Sequence, residues 1–124
     1  MTRIAHALAV AGLVLFAAAP TLAAKPVHGT LELNQADPHY GDVVTFHVVT
    51  TADATNVWLR CYQNGALVLA GGGLIHSAGE YDSERIGLAS PAYTGGSADC
   101  TASLQSYRGD HYKVIASTEF VVGP

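Results

Sequence analysis

The chain has 124 residues, with ten Asp and Glu against six Lys and Arg and a formal net charge of −4 at pH 7. That acidic balance argues against a broad nucleic-acid or anionic-membrane surface, and the length leaves room for a single domain. The first residues have the pattern of a secretory signal peptide. Arg3 supplies the positive start, Ile4 to Ala19 is an almost unbroken apolar run, and Pro20 to Ala24 offers small residues for cleavage. A cut after Ala23 places Thr21 and Ala23 at the positions the peptidase reads, and a cut after Ala24 is nearly equivalent. The competing reading is an uncleaved anchor, but the run is shorter than the roughly 20 residues that span a bilayer. No Cys follows it, which argues against a lipoprotein anchor. The expectation is a signal over 1–23, a short leader over 24–28 and one domain over 29–124, secreted or periplasmic, with no membrane span after cleavage.

Two cysteines in an exported chain pair more often than not, so a Cys61–Cys100 disulfide is expected on the core face. Closing a loop of about 40 residues stabilises by roughly 4 kcal/mol in the chain-entropy model. Two unrelated buried thiols are the alternative. Redox catalysis is disfavoured because there is no Cys-x-x-Cys.

Along the chain, Gly29 to Leu33 alternates enough for a first strand, and Asp37 to Asp42 is turn chemistry built on Pro38 and Gly41. Val43 to Thr51, rich in β-branched residues, is the strongest strand. Val44, Phe46 and Val48 should share its buried face, with Thr45 and His47 opposite. Asp53 to Asn56 turns into the strand that holds Cys61. Period-two parity puts Val57, Leu59 and Cys61 on one face and Trp58, Arg60 and Tyr62 on the other. Asn64-Gly65 is a hairpin turn leading to Ala66–Ala70, and Gly71 to Gly73 reads as a flexible break. Glu80 to Ala89 is less regular, with Ile86 and Leu88 as its inward residues. Pro91 to Gly96 is another turn region. Then Ala98, Cys100, Ala102 and Leu104 alternate with Asp99, Thr101, Ser103 and Gln105 in a half-buried strand. Arg108 to Asp110 turns into Tyr112–Val122, with Val114, Ala116, Phe120 and Val122 assigned to one face. No segment carries a helical stripe, and about seven short strands separated by turns imply an all-β, antiparallel β-sandwich.

Gly41–Phe46, Cys61–Gly65 and Gly96–Leu104 together resemble an immunoglobulin-like module of bacterial extracellular and phage virion proteins. The resemblance spans most of the mature region and implies adhesion, binding or a structural role, although this fold also hosts unrelated tasks. It places Cys61 on strand C and Cys100 on strand F, so the bond would clasp neighbours within one sheet. Antibody-type domains instead join strands B and F, and they carry a tyrosine two residues before the second cysteine, where this chain has Ala98.

Catalytic chemistry is sparse. His28, His39, His47, His76 and His111 form no His-x-His or His-x3-His pair, and the only methionine is Met1, so a blue-copper set is missing. Glu80, Asp82 and Glu84 alternate and would share a strand face, as hard oxygen ligands for Ca²⁺ or as a solvated edge that discourages aggregation. Gly95–Asp99 lacks the final glycine of a nucleophile elbow. No catalytic residue, metal ligand or cofactor is assigned. The candidate partner surface is Trp58, Arg60 and Tyr62, because aromatic and Arg side chains are favoured at interfaces and aromatics also stack on sugars. Cross-strand packing, under the Gly-rich connection, is the structural alternative. The leading functional expectation is a non-enzymatic module that binds a protein or cell-surface component. A carbohydrate-binding module is second, with Trp58 and tyrosines such as Tyr62 or Tyr107 on the glycan. A small secreted hydrolase or metal-binding protein is third.

Overall fold

The computed structural model describes residues 26–124, so the signal-peptide assignment lies outside the described residues. Nine strands follow one another without a helix among the described residues. They are β1 (Gly29–Leu33), β2 (Val43–Val44), β3 (Phe46–Thr50), β4 (Thr55–Gln63), β5 (Ala66–Gly72), β6 (Gly79–Asp82), β7 (Ile86–Gly87), β8 (Ala98–Arg108) and β9 (His111–Val122). One layer has the order β1-β3-β6, continued by the short β2-β7 pair; the other has the order β5-β4-β8-β9. All named pairings are antiparallel.

The break between β2 and β3 has a local cause. Thr45 N–H donates to the Gln35 side chain at 2.9 Å, and the Phe46 N–H donates to Ser83 Oγ at 2.9 Å, so side chains replace ladder partners there. Bridging that interruption and the one between β6 and β7 leaves seven chain runs, as the turn spacing implies. The Asn64-Gly65 hairpin has φ of 50° and 79°, the two positive values that a type I′ turn demands.

The alternation of β3, β4 and β8 is realised. Val44, Phe46, Val48, Val57, Leu59, Cys61, Cys100, Ala102 and Leu104 are all buried in the space between the layers. Cys61 and Cys100 are direct register partners and are joined by a disulfide, a clasp between two neighbours of one sheet. The layers are tied by the Phe46 and Phe120 rings, 5.9 Å apart, and by a Thr55–Tyr81 hydroxyl hydrogen bond of 2.7 Å. Burial raises the Tyr81 phenol above its usual range, against the effect of the Thr55 bond.

Three expectations are corrected. Val114 is 47% exposed, because the β8–β9 register skips Ile115 at a bulge; Ile115 turns inward and packs on the core instead. Gly71 and Gly72 belong to β5, paired with Leu59 and Trp58, rather than to a loose connection. A Cβ on Gly72, whose φ is 110°, would lie 2.0 Å from the Val57 carbonyl oxygen, so glycine is what lets β5 run this far along β4. Glu84 leaves the face shared by Glu80 and Asp82 because β6 ends at Asp82; its side chain turns toward His76 and the Leu74 amide. Tyr93, within a segment read only as turn, is fully buried and donates its hydroxyl to Gly96 O at 2.9 Å.

Candidate functional site

The outer face of the β5-β4-β8-β9 sheet carries the expected row. On β4, Trp58 is half-buried, Arg60 is exposed and Tyr62 is 36% exposed. Their register partners on β8 are Ser103, Thr101 and Asp99, and those on β5 are Gly72, Ala70 and Leu67. Small neighbours beside Trp58 and Arg60 leave these two large groups standing above a flat platform.

Trp58 is not a free plate. The Arg60 guanidinium carbon lies 5.9 Å from its ring centroid, within cation–π range. Gly73 also passes beside the ring, where an added Cβ would be in ordinary contact with Trp58 Cζ3 at 3.5 Å. The indole Nε1 is buried without a hydrogen-bond partner, as is Asn56 Oδ1 on the same face. The sequence-level alternatives therefore divide along the strand. Packing under the Gly-rich segment accounts for part of Trp58, whereas Arg60 and Tyr62 face outward.

Below Trp58, Asn56 Nδ2 donates to Tyr107 Oη at 3.0 Å, and the Tyr107 hydroxyl donates to Gln105 Oε1 at 2.9 Å. This network stiffens one end of the platform. Beyond β8, the β9 residues Ser117, Glu119 and Val121 extend the face, with Val121 61% exposed. Sequence reasoning missed Glu119 and Val121. The signal that could have found them was the outward parity opposite Phe120 and Val122. No Lys or Arg lies within 4.0 Å of a carboxylate among the described residues, so Arg60 keeps an uncompensated charge.

The histidines are dispersed. His47 Nε2 meets Glu80 at 2.8 Å and its Nδ1 meets Asp82 at 3.0 Å. The two carboxylates occupy different ring nitrogens and so do not converge on one point. The Asp82 hydrogen bond is the main influence raising the His47 pKa above 6.5; partial desolvation opposes it and Glu80 reinforces it. His47 in turn holds Asp82 below the usual carboxylate range, with help from Asn34. His76 stacks on Tyr81 with ring centroids 4.1 Å apart and bridges to Thr55 through the backbone. Among the described residues, no group of three or more His, Cys, Asp or Glu is arranged to hold a metal ion, and no helix is long and apolar enough to cross a membrane. Comparison with protein-family models and with curated proteins finds no match to this chain.

Proposed function

We propose that this protein is an exported, non-enzymatic binding module, secreted or periplasmic, whose contact face is the outer surface of β5-β4-β8-β9. The observation that carries the reading is Arg60. It is an exposed guanidinium with no carboxylate partner, held over Trp58 and next to Tyr62 on a platform of small side chains. Exposed aromatics beside an unpaired Arg match the composition of interface hot spots. The buried Cys61–Cys100 bond supports an oxidising compartment. The β1-β3-β6 and β5-β4-β8-β9 layers are also compatible with an immunoglobulin-like module, and such modules commonly bind. The partner in this reading is a protein or another cell-surface component. The half-buried Trp58 ring is partly covered by the Arg60 guanidinium, which leaves a poorer stacking surface for a sugar.

A photoreactive side chain at position 62 tests the reading in native cell-envelope extract. A specific crosslinked partner should appear, and Arg60→Ala should weaken its binding by about 2 kcal/mol without changing the melting temperature. Undiminished crosslinking by Arg60→Glu would sink the proposal. Saturable binding on a glycan array, abolished by Tyr62→Ala, would move the partner to a carbohydrate.

A further inference from the structure

The β8–β9 hairpin closes in a two-residue turn at Gly109-Asp110, and the first residue of β1, Gly29, lies against Leu104 and Ile115, so the hairpin from Ser106 to Lys113 runs on past the start of β1. The inner side of that hairpin, continuous with Leu104, therefore has no sheet opposite it. Register pairs Ser106 with Lys113 and Arg108 with His111, so these side chains share one side beyond Leu104. Diagonal neighbours in such a ladder sit about 7–8 Å apart, which brings Arg108 and Lys113 close together. The segment leading into β1 lines the other wall with Pro26 and Val27, and Ile115, turned inward by the bulge, lines the groove beside them. The result is a groove of about 470 Å³, within the range of small-molecule sites.

The charge of this groove is opposite to that of the chain. Ten carboxylates outnumber the six Lys and Arg overall, yet no carboxylate lines the groove, while Arg108, Lys113 and His111 do. Neither Arg108 nor Lys113 has a carboxylate within 4.0 Å among the described residues. Asp110, the one acid of the turn, is 94% exposed and lies 3.5 Å from His111. Beside the cations, Val27 and Ile115 offer apolar surface, with Val27 39% exposed, while the Tyr112 ring lies on the other side of the hairpin against Tyr107.

We propose that this groove is a binding site for a small amphiphilic carboxylate, its charged head on Arg108 and Lys113 and its apolar body on Val27 and Ile115. The unpaired cations supply charge-assisted hydrogen bonds to the head, and the apolar wall removes the body from water. The site lies apart from the Arg60 platform and stands or falls independently of it.

Decanoate and decanol share an apolar body and differ in the head, so they separate the two contributions. Amide shifts of the oxidised protein are followed by NMR as each is added. Decanoate should perturb Val27 and the Ser106–Ile115 hairpin and bind about tenfold or more tightly than decanol. Arg108→Glu with Lys113→Glu should weaken decanoate by about tenfold or more and leave decanol unchanged; Arg108→Gln with Lys113→Gln gives a milder loss in the same direction. Arg60→Glu should leave decanoate binding intact. Equal binding of both probes, shifts confined to the outer row of β4, or full decanoate affinity in the folded charge-reversal variant would overturn the proposal.

Discussion

The two outward faces of the sandwich handle charge in opposite ways. On β1-β3-β6, His47 is in register with Glu32 on one side and Asp82 on the other, and it contacts both Asp82 and Glu80. That face satisfies its cation internally. On β5-β4-β8-β9, Arg60 is separated from Glu119 by Thr101 on the intervening strand and reaches no carboxylate. Exposed Val121 and half-buried Trp58 accompany it. An Arg unpaired among aromatics has the composition enriched in interface cores, which is why the proposed contact face is the second of the two. On the first face adjacent strands bring opposite charges into contact, and on the second Thr101 of the interposed strand keeps Arg60 and Glu119 apart.

The disulfide lies on the inner side of the β5-β4-β8-β9 sheet only, so its removal tests how far the two layers are independent. Cys61→Ser with Cys100→Ser should lower stability by about 4 kcal/mol, from the entropy returned to the unfolded chain. Denaturant unfolding of oxidised and double-variant protein measures it. Hydrogen exchange should rise first in β4 and β8, and equal loss of protection in β1 and β3 would argue that the layers unfold together.

Next in size is Gly72→Ala. The added Cβ meets the Val57 carbonyl at a backbone φ of 110°, so β5 must shift away from β4, at a loss of about 3 kcal/mol. An unchanged thermal melt would refute the close approach of these strands. Trp58→Ala should then lower stability by about 2 kcal/mol, because it empties the contact with Gly73 and Arg60. Val49→Ala, on the outer row of the other face and 46% exposed, should stay within about 0.5 kcal/mol. Equal losses at the two positions would erase the distinction between the faces.

The smallest effect is the pH response of the self-paired face. His47 has a folded pKa raised above 6.5 and Asp82 one lowered below 3.8. The His47 contribution is complete below its unfolded value and lost as pH rises through its folded value. The Asp82 contribution is present above its unfolded value and lost as pH falls. The pair thus supports the fold best between these two values, and the support is screened by salt because both groups are exposed. Melting temperatures of His47→Gln and the parent should converge at pH 8 and separate near pH 5, with Arg60→Gln showing no such trend.

Local alternation alone determined which residues of β3, β4 and β8 face the core, and that Trp58, Arg60 and Tyr62 share the opposite side. Period two is a property of a single strand, so these assignments need no knowledge of neighbours. Tertiary structure decided the rest. The bulge that exchanges Val114 for Ile115 comes from pairing between β8 and β9. The burial of Tyr93 and the place of Gly72 within β5 depend on what other segments bring against them. The gathering of Arg108, Lys113 and Val27 around one groove unites residues about 80 positions apart in the chain. Strand parity is written in neighbouring residues, but a concavity and its charge arise only where distant segments end beside one another.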